Sequence, residues 1–408
     1  MRVVKILTLI TIFNCWCSAF AKTKTDTAQY APRHIAKDSI RQRDLMDVLH
    51  VLMHSGTSSS AQNDSIGLKP VISMMPAIGY SMQSRMAILV SGNMAFRMAE
   101  NSRVSVINFS TSYNQNAQFT LPLMWNVWTR NNSYNLIGDL RFFIYPQNTF
   151  GLGSNSIVRN LDPMNYNYFR FSESVMRKVA GSLYLGAGYM VDDHWGISHQ
   201  LPISGTFPSF ENYNSATHTV SSGLTLSGIF DSRDCSINPS KGFYAMYQFR
   251  ENLSALGSTS SWNSLILDMR KYIKFPASSN NVLALWSYDW VTLSGNPPYL
   301  DLPSTLWDNS TNAGRGYIQG RYRGAQMVYG EAEYRYHITR DGLIGGVFFA
   351  NVQSFSATPG THLQAIQPGY GPGLRFKLNK TSRTNIAMDY GFGTQGSKGL
   401  FVNVGELF

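Results

Sequence analysis

Three histidines lie close enough together in the sequence to raise the question of a metal or acid–base site. They are His194, His199 and His218. Their spacing matches no zinc-binding signature, and the chain has no Gly-x-Ser-x-Gly segment that would present a serine nucleophile. Asp231 and Asp234 do not complete a calcium loop, because Arg233 lies among the oxygen donors that such a loop needs. We therefore expect no catalytic residue, no metal ion and no cofactor, and an enzyme is the least favoured class.

Residues 1–21 have the pattern of a secretory signal peptide. Arg2 and Lys5 precede an apolar stretch at 6–16, and small residues at Ala19 and Ala21 mark a cleavage site. The stretch is too short to span a membrane, and its cysteines do not lie in a lipoprotein box. We expect cleavage after Ala21, which leaves Cys235 as the one cysteine of the mature protein and excludes an internal disulfide.

The composition beyond residue 21 favours a membrane barrel. No apolar run reaches about 18 residues, so a spanning form must satisfy its backbone polar groups in a closed barrel. Charged residues make up 14% and aromatic residues 13%, whereas soluble domains average about 25% charged residues. The pI is near 9.4, but Lys and Arg are dispersed, so no nucleic-acid partner is expected. Contacts with the barrel lumen or lipid headgroups explain these bases better.

The polar segment 22–66 contains one predicted helix. Leucine, valine and methionine recur there at helical spacing, at Leu45, Val48, Leu49, Leu52 and Met53. Asp38 or Ser39 is the predicted N-cap, and Gly56 with the serine run at 58–60 is expected to end the helix. Such a helix fits a periplasmic docking element, a lumen plug or a simple tether.

From Val71 onward the apolar residues alternate with a period of two, as in strands with one face in lipid and one in the lumen. In the segment 134–144, for example, Leu136 and Phe142 share a face opposite Asp139 and Arg141. Segments of this kind are predicted at 71–80, 85–97, 103–113, 117–129, 133–145, 165–178, 181–192, 218–231, 241–252, 262–275, 281–293, 325–338, 343–352, 366–378, 383–393 and 399–408. We therefore predict an all-β protein whose residues 67–408 form a transmembrane antiparallel barrel of about 16 strands.

Aromatic residues near the predicted strand ends are expected at the membrane interfaces. Those with indole rings are Trp125, Trp128, Trp286 and Trp290. In the last predicted strand, Leu400, Val402, Val404 and Phe408 share one face, which Glu406 interrupts. This ending resembles the signal by which the outer-membrane barrel assembly machinery recognises its clients, with Phe408 as the signal residue.

Two motifs carry a resemblance to a known family. The first is a turn motif that contains Asp231, Arg233, Asp234, Pro239 and Gly242. The second is the loop segment Gly314, Arg315, Gly316 and Tyr317, followed by a Glu-x-Arg strand at 331–335. Together with the hairpin pattern at 76–81, they make residues 69–408 similar to the barrels of the BamA/TamA (bacterial surface antigen) superfamily. Because 22–66 is too short for a POTRA module, the chain resembles the branch that lacks these modules.

The resemblance implies that the long loop folds back into the barrel and that its arginine pairs with carboxylates on the lumen wall. Because inward and outward side chains alternate along a strand, Glu333 is expected to face the lumen, and we take it as the first-choice partner of Arg315. The family usually has an Asp in the following strand where this chain has Asn351, so the loop anchor is expected to be weaker or differently paired. The alternative is that Arg315 and Gly316 are exposed loop residues.

The resemblance also implies the outer membrane as the location and outer-membrane lipid as the surroundings. Three functions fit these expectations. The leading one is assistance in envelope biogenesis, by inserting or translocating protein or lipid, with possible periplasmic or lipoprotein subunits as partners. The others are a passive or gated pore, and a structural or surface-binding subunit of an outer-membrane complex. Fold analogy alone does not decide among them.

Overall fold

The computed structural model describes residues 42–45, 47–48, 68–81, 85–200, 210–213, 216–306 and 313–408, all within the compact unit Arg41–Phe408. The expected signal peptide and the predicted helix caps Asp38 and Ser39 lie outside the described residues. No helix in the described part of the chain is long and apolar enough to cross a membrane.

The described chain is almost entirely β-structure. Its strands are β1 Val71–Ser81, β2 Arg85–Phe96, β3 Ser105–Asn114, β4 Phe119–Trp128, β5 Tyr134–Ile144, β6 Gln147–Thr149, β7 Asp162–Ala180, β8 Leu183–His199, β9 His218–Asp231, β10 Gly242–Asn252, β11 Trp262–Lys274, β12 Val282–Gly295, β13 Gln326–His337, β14 Ile344–Phe355, β15 Gln367–Asn379, β16 Thr384–Phe392 and β17 Lys398–Val404. The described helical segments are short: Phe210–Tyr213, 3-10 turns such as Tyr299–Asp301, and the helical residues at 45 and 47–48. The prediction of an all-β fold is confirmed, and the sequence pattern missed only the three-residue strand β6.

All 17 strands belong to one antiparallel sheet. Each long strand pairs with the next one along the chain, and β7 pairs with β5 while β6 adds a short extension. The strands β1 and β17 lie side by side, but no hydrogen-bonded ladder joins their described residues. The sheet is therefore continuous everywhere except at this seam, which we call the β1–β17 seam.

Side chains along the strands are alternately buried and exposed, which follows from the two-residue period of a pleated strand. The outward face is apolar, with Ile88, Leu226 and Phe348 among its exposed residues. The inward face carries many polar and charged residues together with a large aromatic cluster around Trp286 and Tyr329. This arrangement matches a sheet that faces lipid outside and a polar lumen inside.

The two ends of the sheet differ in their connections. At one end, where β1 begins and β17 ends, the strands are joined by short segments such as 181–182 and 380–383; we call it the turn end. At the opposite end, the loop end, the connections include the long segment 296–325. Short turns on the periplasmic side and longer loops outside are typical of outer-membrane barrels.

The described part of the predicted N-terminal helix consists of Leu45, Asp47 and Val48. Asp44 directly precedes the first described helical residue, whereas the predicted caps Asp38 and Ser39 lie outside the described residues. The backbone N–H of Asp47 donates to Asp44 Oδ1 at 2.8 Å, and the N–H of Asp44 donates to Asp47 Oδ2 at 3.2 Å. This reciprocal pair is a capping box, which satisfies two amide groups that a helix start leaves without partners.

The tryptophans do not form the expected interfacial girdle. Trp128, Trp286 and Trp290 are buried on the inward face, because each lies an even number of residues along its strand from the polar residues that face the lumen. Trp125 does face outward, but its ring lies over Gly138 in the middle of β5 and its Nε1 donates to Glu173 at 3.0 Å. Nearness to a predicted strand end could not distinguish the two faces.

Candidate functional site

The loop between β12 and β13 enters the barrel and places Arg315 on the lumen wall. Its side chain is fully buried, and its guanidinium lies 3.7 Å from the ring centroid of Phe349. Nη2 donates to Glu333 at 2.6 Å and also to Glu331, and Nη1 donates to Asp389 at 2.6 Å. The loop arginine therefore contacts three carboxylates, one of which is Glu333.

The strand register explains how these carboxylates converge. Glu331 and Glu333 share the inward face of β13, since they are two residues apart. Asp389 comes from β16, where it is paired with Gly373 of β15. A Cβ atom at position 373 would collide with Asp389, so the glycine leaves room for the carboxylate to approach the loop.

Two further arginines extend this contact into a network. Arg375 donates to Asp389 Oδ1 at 2.5 Å and to Glu406 Oε2 at 2.9 Å. Arg335 donates to Glu333 Oε1 at 2.6 Å. We call the buried set of Arg315, Glu331, Glu333, Arg335, Arg375, Asp389 and Glu406 the lumenal network.

The lumenal network satisfies most of its charge internally. Burial alone would lower the pKa of Arg315, but Glu331, Glu333 and Asp389 raise it well above its usual value. Burial likewise opposes ionisation of Glu406, yet Arg375 and Arg335 lower its pKa. Both groups are therefore ionised, and buried charges of this kind are tolerated only when they are paired.

Asn351 lies where the family pattern suggests a carboxylate. Its Nδ2 donates to the backbone oxygen of Arg315 at 3.0 Å, so it holds the loop backbone and not the guanidinium. The second and third carboxylates come from Glu331 and Asp389. The loop anchor was expected to be weaker than in the family or differently paired. The geometry corresponds to the second of these expectations.

Gly316 and Tyr317 fix the loop against β15 and β16. Gly316 has a φ of +104°, which L-residues rarely adopt, and a Cβ there would collide with the backbone of Phe392. The hydroxyl of Tyr317 donates to the carbonyl of Pro368, and it accepts from the N–H of Thr394 at 3.1 Å. The ring of Tyr317 is fully buried beside Tyr322.

A second contact holds the beginning of the same loop. Asp301 accepts from Ser221 Oγ at 2.6 Å and lies 3.8 Å from His194 Nδ1. His194 stacks on Tyr168 with ring centroids 4.4 Å apart. The sequence pattern does not predict this contact, because nothing around Asp301 distinguishes it from an exposed loop residue.

The other histidines do not join His194 in one site. His199 contacts Asp162 at 2.9 Å, and His218 contacts Asp193 at 2.8 Å on the exposed outer side. Within the described ranges, no three His, Cys, Asp or Glu side chains are grouped so that they could hold a metal ion.

The predicted turn motif folds across the turn end of the barrel. Asp231 accepts from the backbone and side chain of Arg233 at 3.0–3.1 Å, and it lies 3.8 Å from Arg103 of the β2–β3 connection. Asp234 accepts from Ser240 at 2.8 Å and lies 3.2 Å from Arg383 of the β15–β16 turn. Although burial opposes it, these hydrogen bonds lower the pKa of Asp234.

Pro239 and Gly242 complete the shape of this turn. Pro239 is buried, and Gly242 has a φ of +114° where a Cβ would collide with Ser232. Because its aspartates contact connections from both halves of the barrel, the turn joins distant strands across the opening.

Phe408 does not occupy the predicted lipid-facing position. The strand β17 ends at Val404, and Gly405 has a φ of +106°, which turns the chain inward. Phe408 is buried in the lumen, where its ring stacks on Trp286 at 5.0 Å. The prediction of a strand over 399–408 is therefore wrong at its end. The pairing of Glu406 with Arg375 draws the last residues into the barrel.

Comparison with known proteins places the chain in a family. The family model described as the Omp85 superfamily domain matches residues 98–407. A search of curated proteins finds no significant match.

Two solved structures have a similar fold. One is BamA from Haemophilus ducreyi lacking POTRA domains 1-3, with a TM-score of 0.51 and 12% identity, covering 82% of this chain and 70% of that one. The other is CdiB from Acinetobacter baumannii, with a TM-score of 0.50 and 11% identity, covering 83% of this chain and 66% of that one. Since the family model spans most of the strands described above, this outer-membrane barrel belongs to the Omp85 superfamily.

Proposed function

We propose that this barrel assists the insertion or translocation of protein or lipid at the outer membrane by opening the β1–β17 seam. The observation that supports the proposal is the seam itself. Neighbouring long strands elsewhere share ladders of hydrogen bonds, whereas the described residues of β1 and β17 share none. Unpaired backbone groups at a sheet edge are a template for adding another strand, so an incoming segment has a place to pair.

The length of β17 also supports this proposal. The strand has 7 residues whereas β1 has 11, because the chain leaves the sheet at Gly405. Part of the edge of β1 therefore has no residues of β17 opposite it. Separating these strands costs few backbone hydrogen bonds compared with separating any other pair.

A passive pore receives less support. The loop that carries Arg315, Tyr317 and Tyr322 fills part of the lumen, and the turn 232–241 crosses the turn end. The lumenal network fixes the loop to β13 and to β16, and β16 is the neighbour of the seam strand β17. Such an arrangement fits a plug that stabilises the closed barrel better than it fits an open channel.

The proposal is tested by locking the seam. In a background with Cys235→Ser, one cysteine is introduced in β1 and one in β17, and a panel of such pairs is screened for disulfide formation. We expect oxidation of a cross-seam pair to reproduce the outer-membrane defect of depletion, and reduction to restore function. A survey of outer-membrane proteins and lipids after depletion provides the readout.

A matched control uses an intact ladder. Met388→Cys with Val402→Cys places a pair across β16 and β17, where the two residues are in register. This disulfide should leave function unchanged. Normal function with the seam fully cross-linked would contradict the proposal, as would an unaltered outer-membrane protein and lipid composition after depletion.

A further inference from the structure

The exposed basic residues are concentrated at the turn end of the barrel. They lie in the N-terminal segment, in the connections and in the last residues of the strands, at Arg43, Lys69, Arg130, Arg177, Lys178, Lys241, Lys271, Lys274, Arg340 and Arg383. The exposed acidic residues described at this end are Glu100 and Asp234, and Asp234 is already paired with Arg383. The turn end therefore carries an excess of positive charge on its surface.

The loop end lacks such an excess of exposed bases. Its exposed Lys and Arg residues in the described part of the chain are Arg85, Arg159 and Lys398. The remaining arginines of this end, including Arg321 and Arg323, are buried in the loop that enters the lumen. The asymmetry therefore belongs to the outer surface of the barrel, and it is not a by-product of the charged lumen.

Exposed apolar side chains accompany the bases at the turn end. They are Leu68, Val179, Phe275 and Ile338, each more than half exposed. Three of them directly adjoin a base in the sequence: Leu68 precedes Lys69, Val179 follows Lys178, and Phe275 follows Lys274. The Nζ atom of Lys271 lies 6.0 Å from the ring of Phe243. Apolar stems and rings beside cationic heads are the arrangement expected where acyl chains meet headgroups.

The bases are spread along the whole sheet. They occur before β1, between β4 and β5, at the ends of β7 and β11, between β9 and β10, and between β13 and β14. A single peptide or subunit would bind one sector of such a surface. A continuous layer of anionic groups would contact all sectors at once.

We propose that these residues form a basic girdle that binds the anionic phospholipid headgroups of the leaflet at the turn end. Each Lys or Arg near an anionic membrane surface strengthens association by about fivefold at low salt. Adjacent bases such as Arg177 with Lys178 form the sites where one headgroup phosphate can contact two cations. The girdle would fix the depth of the barrel in the bilayer and enrich acidic lipid around it.

The experiment measures lipid selectivity around the full-length mature protein in proteoliposomes. Spin-labelled phosphatidylglycerol and phosphatidylcholine are compared by electron paramagnetic resonance of the motionally restricted lipid. We expect the wild-type protein to prefer phosphatidylglycerol by about two- to fivefold, and we expect the preference to fall as salt is raised from low concentration to 0.5 M.

Two sets of substitutions make the test specific. The girdle variant carries Arg130→Gln, Arg177→Gln, Lys178→Gln, Lys271→Gln, Lys274→Gln and Arg340→Gln, and its preference should fall close to one. The control variant carries Arg85→Gln, Arg159→Gln and Lys398→Gln at the loop end, and it should keep the wild-type preference. Heat-modified mobility on gels verifies that both variants are folded.

Two results would overturn the proposal. One is equal association of the two lipids with the wild-type protein at low salt, which would leave the bases available for an acidic protein partner. The other is an equal loss of preference in the girdle and control variants, which would show that total charge matters and position does not. Because the measurement does not involve the β1–β17 seam, neither result bears on the insertion proposal.

Discussion

At the scale of single residues, the most informative contact is the one between Arg315 and its three carboxylates. A buried pair whose partner is removed leaves an uncompensated charge, and the cost is about 3–5 kcal/mol. We propose that Arg315 and Glu333 form a latch that keeps the loop inside the barrel. Glu331 and Asp389 contact the same guanidinium, so loss of one carboxylate should be less severe than loss of the arginine.

The latch is tested with Arg315→Ala, Glu333→Gln and the double variant. We expect Arg315→Ala to lower the free energy of unfolding by about 3–5 kcal/mol and to expose the loop to protease. Glu333→Gln should have a smaller effect of the same kind, and the double variant should lose less than the sum of the two. Strictly additive losses would show that the two side chains do not act together.

Asn351 offers a test of how this chain departs from its family. Asn351→Asp would restore a carboxylate, but the new side chain could not donate to the carbonyl of Arg315. It would also add a negative charge to a network that already has one more carboxylate than guanidinium groups. We expect a loss of stability of about 1–3 kcal/mol in chemical denaturation. A more stable variant would mean that the position can anchor the guanidinium directly.

The pKa of Asp301 predicts a dependence of stability on pH. Burial first, and the nearby charge of Asp192 second, raise this pKa to about 7. An acid whose pKa is raised on folding contributes most below its ordinary pKa, and that contribution is lost as the pH rises through about 7. We expect the loop to be more protected from protease at pH 5 than at pH 8. Asp301→Asn should remove the difference; an unchanged pH profile in this variant would assign it to another group.

At the scale of elements, the strands were predictable and the ends of the chain were not. Alternation located the long strands, because one face must be apolar in lipid, and it predicted that Glu333 faces inward. Alternation along one strand does not reveal which other segments approach it across the lumen. The pairing of Asp389 with Arg315 was therefore not predicted. The inward turn at Gly405 was missed because a two-residue period says nothing about positive φ.

Gly405 allows the inward turn to be tested directly. Gly405→Val should disfavour the left-handed conformation and withdraw Glu406 from Arg375. We expect a lower denaturation midpoint and a lengthened β17. Gly360→Val serves as the control, because Gly360, like Gly405, has a positive φ and open space at its Cβ position, but it lies in the connection between β14 and β15, away from the lumenal network. Equal effects of the two substitutions would indicate backbone strain alone.

The described N-terminal segment is a second element with a defined position. Lys380 Nζ lies 2.8 Å from Asp47 Oδ2, and the N–H of Lys380 donates to Asp44 Oδ2 at 2.9 Å. The N–H of Arg43 donates to the carbonyl of Asp341 at 3.2 Å. These contacts lie at the turn end, so we favour the docking interpretation of the segment over the lumen plug.

At the scale of the whole molecule, docking and plugging predict different conductance. Deletion of residues 22–66 should leave conductance in planar bilayers unchanged, because the described residues 313–325 of the loop between β12 and β13 already occupy the lumen. Arg315→Ala should instead produce intermittent openings, since it releases that loop. A large increase in conductance after the deletion alone would restore the plug interpretation.

The position of Phe408 has a consequence for the order of events during biogenesis. Its ring is enclosed between Trp286 and Arg335 inside the finished barrel, where no external factor can reach it. If this aromatic residue is what the assembly machinery recognises, recognition must be complete before the chain turns at Gly405. The entry of residues 405–408 into the lumen would then be a late step of assembly, and it would end the contact with the assembly factor because Phe408 is no longer accessible.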